Sequence, residues 1–208
     1  MYKTLLPAAA VLALLGSAAV VAQNAPAKPG SPNPALVTGG NYTVESSHTQ
    51  ILFAYDHMGF SNNMGLISAP TGTLSLDPKN PAAAKLSVTI PIANLTTGIP
   101  KLDEHLMKAD FFDSAKFPTA TFVSTAVKVD GTTADISGNL TIKGITKPVV
   151  LEAAFYGAGK GPAQMGGKEN VGFNATTAIK RSDFGMGYAV PMVGDEIELK
   201  MTVAFQKD

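Results

Sequence analysis

Thr97-Gly-Ile-Pro-Lys-Leu-Asp-Glu-His-Leu-Met-Lys-Ala-Asp-Phe-Phe-Asp-Ser-Ala-Lys-Phe-Pro-Thr-Ala-Thr-Phe122 interrupts a succession of alternating segments with a pattern that no strand can carry. Pro100 suits the first turn of a helix, where its missing N–H costs nothing, and Asp103 and Glu104 follow where the helix dipole favours negative charge. Leu102, Leu106 and Ala109 recur at helical spacing, so a short helix over Lys101 to Lys108 with one apolar stripe is expected. Asp110-Phe-Phe-Asp113 then sets two rings between carboxylates. Pro118 biases Phe117 towards extended backbone, so that a strand resumes at Thr119. So short a helix cannot stand alone in water and must lie on something else.

On both sides of this insertion the chain alternates with period two, which puts one apolar row on one face of each strand. Such rows are Ile51, Phe53 and Tyr55; Leu86, Val88, Ile90 and Ile92; Phe122, Ser124 and Ala126; and Ile136, Leu140 and Ile142. They continue as Val149, Leu151, Ala153 and Phe155; Val171, Phe173, Ala175 and Ile179; and Ile197, Leu199, Met201, Val203 and Phe205. Asp77-Pro-Lys-Asn-Pro81, Asp130-Gly131 and Lys143-Gly144 carry turn chemistry at hairpin positions. Two longer loops, Gly157 to Gly167 and Arg181 to Gly194, complete the chain, and no repeat of solenoid length is present. Eight or so antiparallel strands with one apolar face each must stack as a sandwich or close as a barrel. Strands of this length joined by short turns favour the barrel, an eight-stranded barrel has room for one small ligand, and the short helix then closes one end.

The chain has 208 residues, balanced charge and no cysteine. One domain is expected, and stability must come from a packed core, since disulfides and a lipid-modified N-terminal cysteine are both excluded. A core of that size buries about 70% of the unfolded surface without a metal or disulfide staple. Lys and Arg are scattered rather than clustered, which gives no electrostatic case for nucleic acid. Met1-Tyr-Lys3 followed by an apolar run ending in small residues reads as a signal peptide over 1–22, and an uncleaved membrane anchor is the competing reading. Residues 23–40, rich in Pro, Gly, Ser and Asn, read as a flexible leader, and 41–208 as the domain.

His48, His57 and His105 invite a metal site, but the odd interval between the first two points them to opposite faces of a regular strand, and no metal-binding spacing is present. His105, beside Asp103 and Asp110, is expected to fix the helix through hydrogen bonds. No Gly-x-Ser-x-Gly exists, and Asp103-Glu104 and Asp195-Glu196 read as solvated charge, so no catalytic residue is assigned. Phe53, Tyr55, Phe122 and Phe173 fit a dry core and a lipid pocket equally well. Phe184-Gly-Met-Gly-Tyr188 fits either an adaptable cavity mouth or a plug.

His48 with Phe53 and His57, Asp103-Glu-His-Leu106, Asp110-Phe-Phe-Asp113, Phe117-Pro118, Thr121-Phe122, Gly138-Asn-Leu-Thr-Ile-Lys-Gly-Ile-Thr-Lys-Pro148 and Arg181-Ser-Asp-Phe-Gly185 together resemble the YceI family of secreted bacterial polyisoprenoid-binding proteins. The resemblance runs from about Tyr42 to Phe205. One departure is Lys101-Leu-Asp103, where many members have Arg-Asp, so no guanidinium fork is expected there. The resemblance implies an all-β, eight-stranded antiparallel lipocalin-like barrel with a short capping helix, whose apolar interior holds an isoprenoid or other long-chain lipid. It also implies a periplasmic binding or carrier protein rather than an enzyme, with neither cofactor nor metal, and with transient contact with a membrane or membrane enzymes. The alternative is a periplasmic enzyme or redox-partner module acting on a quinone-like ligand. On this reading Phe53, Tyr55, His57, Phe122, Phe173, Phe184, Met186 and Tyr188 face the ligand.

Overall fold

A computed structural model describes residues 28–208; the expected signal peptide and the first residues of the leader lie outside them. The strands are β1 Gly40–Val44, β2 Gln50–His57, β3 Ser61–Ser68, β4 Thr71–Leu76, β5 Lys85–Pro91, β6 Leu95–Thr96, β7 Thr119–Asp130, β8 Thr133–Ile142, β9 Ile145–Lys160, β10 Glu169–Lys180 and β11 Glu196–Lys207. Among the described residues there is one α-helix, α1, Pro100–Leu106. Every pairing is antiparallel, and β1 on β11 closes the sheet.

Eleven segments make eight strands, because three strands are broken in two. Both β1 and β2 lie along one edge of β11, the first opposite Phe205 to Lys207 and the second opposite Glu198 to Thr202. The break between them is a tight turn in which the Glu45 carboxylate accepts from the Ser47 and His48 N–H groups, while the Thr49 hydroxyl donates to the Glu45 carbonyl. The next strand breaks between β3 and β4 at Ala69-Pro70. The third breaks between β5 and β6, where Pro91 precedes a single 3-10 turn at Ile92–Asn94. The result is an up-and-down, eight-stranded antiparallel barrel.

That topology sorts the connections between two ends. At one end lie the β2–β3 hairpin, the long 97–118 segment with α1, the Lys143-Gly144 turn and the 181–195 loop. At the other lie the 77–84 loop, the Gly131-Thr132 turn, the 161–168 loop and the approach to β1. Helix α1 starts at Pro100 as expected but ends two residues earlier than its apolar spacing suggests. Asp103 does more than face the helix dipole: its carboxylate accepts from the Thr97 N–H (2.7 Å), the Thr97 hydroxyl (2.6 Å) and the Thr96 hydroxyl (3.0 Å), tying the helix to the end of β6. Leu106 is buried with Ile51, Phe53, Ile67 and Leu95, so the helix caps the first end.

Two expectations are corrected. On β7 a bulge between Ser124 and Ala126 shifts the register, and the Ser124 hydroxyl accepts from the Leu86 N–H (2.8 Å). Beyond the bulge the inward parity is reversed, so Val127 and Val129 continue the row that Phe122 begins, in place of Ala126. The leader is not free from Ser31 onward: Ser31 forms an antiparallel bridge with Ala158, and Thr38 is bonded to Glu169. Composition marked this stretch as loop, but its bonds lie to residues more than a hundred positions away.

Candidate ligand-binding cavity

The inward rows of all eight strands converge on a cavity of about 350 Å³ that opens towards the end opposite α1. Its volume is near the lower bound of ligand pockets, about 300 Å³. Among the described residues, none that lines it carries a charge, and the only hydroxyls belong to Thr49, Thr132, Thr133 and Thr177. Val149, Leu151 and Ala153 from β9, Leu199, Met201 and Val203 from β11, and Ile136 and Leu140 from β8 form part of the wall. Phe155, Phe173 and Phe205 form an edge-on aromatic chain along it, with ring centroids 5.9 and 6.2 Å apart. Phe122 forms the floor. Its ring sits against Gly138, where a Cβ would come within 2.3 Å of it, so only glycine admits the ring at that depth.

Of the residues assigned to the ligand from sequence, Phe122 and Phe173 line this cavity. Phe53, Tyr55, His57, Phe184, Met186 and Tyr188 do not. Phe53 lies below the floor, its ring over Gly65 and stacked on Tyr55 at 6.5 Å, in the cluster that carries α1. Phe184 and Met186 are buried against Ile92, Ala120, Phe122, Leu140 and Ile142, so their loop is the plug and not the mouth. Tyr188 is exposed and edge-on to Phe111 and His105, at 5.7 and 5.8 Å. His57 ends β2, bridged to Val193. His105 packs against the Phe111 ring at 5.0 Å, an aromatic contact in place of the expected hydrogen bonds. His48 sits in the turn after β1, 2.7 Å from Glu45, so the three histidines are dispersed.

The plug is held by a group to which sequence gave no role. Arg181 is buried, and its guanidinium donates to four backbone carbonyls: Nε to Gly194 (2.8 Å), Nη1 to Met186 and to Tyr188 (2.8 Å), and Nη2 to Val193 (2.8 Å). Burial draws its pKa down, opposed by the nearby Asp195. Asp195 in turn accepts from the Ser182 N–H and hydroxyl.

At the mouth, the buried Glu169 carboxylate accepts from the Tyr42 hydroxyl (2.6 Å), the Thr38 hydroxyl (2.6 Å) and the Thr38 N–H (3.0 Å). Burial and the bond to Glu169 push the Tyr42 phenol up to about 12. Burial opposes the charge on Glu169, but the bonds from Thr38 and Tyr42 outweigh it and hold the carboxyl below its usual range. Glu45 and Asp195 follow the same balance, and Asp103 is lowered chiefly by the bonds from Thr97. All four therefore bind fewer protons folded than unfolded as pH falls towards their unfolded pKa. The stability they contribute is full above about pH 4.5 and is lost as pH drops through their folded values. Denaturant midpoints are expected to stay level from about pH 6 to about pH 5 and then to fall towards about pH 3, with Glu169→Gln flattening part of the slope. A midpoint that rises on acidification would contradict this balance.

The sequence profile of the YceI-like domain matches residues 42–205. Protein YceI of Escherichia coli O157:H7 is 42% identical over 159 residues, 76% of this chain and 82% of that protein. The crystal structure of the Campylobacter jejuni YceI protein is 34% identical and superposes with a TM-score of 0.64 over 74% of this chain and 90% of its own. A polyisoprenoid binding domain from Saccharophagus degradans shares the fold, with a TM-score of 0.60 at 13% identity over 80% of this chain and 98% of its own. The profile match and the identity to the Escherichia coli protein, each spanning most of the barrel, show that the chain belongs to the YceI-like family.

Proposed function

We propose that this protein is an exported, periplasmic carrier that holds the tail of an isoprenoid or similar long-chain lipid inside its barrel and returns it unchanged. The observation that carries this reading is the uncharged cavity within a closed barrel. A space of that kind offers four threonine hydroxyls and no charge, and it rewards burial of hydrocarbon. The polyisoprenoid binding of the Saccharophagus degradans domain, and the export signal read in residues 1–22, agree with it. Loading and delivery would take place by transient contact with a membrane or a membrane enzyme.

Two magnitudes decide what sets affinity. Each buried methylene contributes about 0.8 kcal/mol, so one five-carbon unit adds on the order of 3 kcal/mol before ordering costs reduce it. A surface lysine on a phosphate contributes about 1 kcal/mol or less, and salt screens it. Affinity across a series of prenyl alcohols is therefore expected to rise with tail length until the cavity is full, and to change little between low and moderate salt. Displacement of a fluorescent lipid reads both. Phe173→Asp should weaken the longer tails most, because its ring is cavity wall, whereas Phe53→Asp should act through stability alone. Affinity that ignored tail length, required a diphosphate and collapsed in salt would replace the apolar cavity with a surface anion site. A quinone-like ligand consumed rather than released intact would favour the enzyme or redox-partner reading.

A further inference from the structure

The cavity has a wall outside the stretch that matches the family. Residues 31–38 precede that stretch, which begins at residue 42, and cross the mouth from β9 to β1. Ser31 pairs with Ala158 through two backbone hydrogen bonds of 3.0 and 2.9 Å. They sit on the part of β9 beyond Ala154, where pairing with β8 has ended. Pro34–Leu36 then makes one 3-10 turn capped by the Asn33 side chain, and Pro34 and Val37 line the cavity. Thr38 ends the segment on Glu169, and the Lys207 ammonium reaches the same Thr38 hydroxyl.

This strap is thinly attached. Within it only Ser31 and Val37 are half-buried, the rest being exposed, and segments with few buried contacts open before the core does. It also ends on a pair of glycines. Gly39, just before β1, and Gly40, the first residue of β1, have φ of +77° and +117°, a pair of conformations that side chains resist, and a Cβ at Gly39 would lie 2.6 Å from Pro78 Cδ. Hinges of closing segments are a few such residues at the end of a regular element. The strap is thus anchored at two points, with a permissive joint at one end and cavity-lining side chains between them.

We propose that residues 31–38 are a lid over the cavity, which swings on Gly39-Gly40 to admit an apolar tail and closes on it when Thr38 seats on Glu169. Pro34 and Val37 are then ligand contacts, and Glu169 sets the rates of entry and release. The proposal rests on the cavity being the binding site.

The chain contains no cysteine, so a Ser31→Cys, Ala158→Cys double variant of the full-length protein can form only the intended bridge within one molecule. Opposed residues of a hydrogen-bonded antiparallel pair lie about 5.5 Å apart at Cα, within disulfide reach. Stopped-flow binding of a dansyl-tagged prenyl alcohol should be slower in the oxidised variant than in its own reduced form by on the order of tenfold, both in uptake and in release. Glu169→Gln weakens charge-assisted bonds and should speed both by on the order of tenfold, with a smaller change in Kd. Equal rates in the oxidised and reduced forms, or unchanged rates in Glu169→Gln, would make the strap a fixed wall. If the unmodified protein failed to bind the probe at equilibrium, the cavity reading itself would fall, and the lid with it.

Discussion

Arg181→Met is expected to cost on the order of 4 kcal/mol of folding stability. The guanidinium is the shared donor for the carbonyls of Met186, Tyr188, Val193 and Gly194, and nothing else in the loop can take its place. A buried carbonyl left without a donor costs about 1 to 3 kcal/mol. Water will reach some of the four, and methionine also removes the cost of burying a charge, so the net falls well below the sum. The second consequence is local. Phe184 and Met186 are held down by the same bonds, so the variant should expose the apolar cluster over Phe122 and bind a hydrophobic dye. Arg181→Lys should recover only part of the loss, because an ammonium cannot span four acceptors set around a planar fork. Urea denaturation checks all three. A methionine variant within about 0.5 kcal/mol of the parent, the range of ordinary surface changes, would mean that the loop holds itself.

Leu106→Asp should cost a similar amount for a different reason. Leu106 is the buried residue of α1, against Ile51, Phe53, Ile67 and Leu95. Losing its burial forfeits about 2 to 3 kcal/mol, and placing a carboxylate there without a partner adds a further desolvation cost. Leu106→Ala separates the two, since it removes the contacts without adding a charge and should cost about 2 to 4 kcal/mol. Far-UV circular dichroism will barely change in either variant, because α1 is seven residues in a chain dominated by strand. Denaturation midpoints are the informative measurement. Parent-like stability in Leu106→Asp would mean that the helix lies free in solvent and that another element closes the barrel.

The strands, the closing helix and most of the cavity wall were legible in the sequence, because period-two rows are imposed by burial on one face alone. The row Val149, Leu151, Ala153 and Phe155 lines the cavity as it reads. Legibility failed in three ways, each with a physical cause. A bulge adds a residue without marking it, so Val127 and Val129 turned inward where simple alternation placed Ala126. Alternation also reports which side of a sheet a residue faces but not its height along the barrel. Phe53 and Phe122 both face inward, yet the first lies beneath the floor and the second forms it. Finally, the bonds among Thr38, Tyr42 and Glu169 join residues more than 120 positions apart, and no local pattern encodes such a meeting. Phe184 and Met186 were open to either reading, and the deciding group was Arg181, whose four acceptors are all backbone and leave no trace in side-chain identity.

The alternation of connections between the two ends divides the labour of change within the chain. The elements that plug the base, α1 and the Arg181 loop, are attached where strands turn back at that end. The turn at Gly131, the 77–84 loop and the 161–168 loop sit on the opposite rim and have no part in that plug. A lineage, or a selection experiment, can therefore lengthen, shorten or recolour the rim to suit a new passenger while the base stays under separate constraint. Libraries confined to those three loops should retain soluble expression across most members, whereas libraries of equal size placed at 97–118 or 181–195 should lose it.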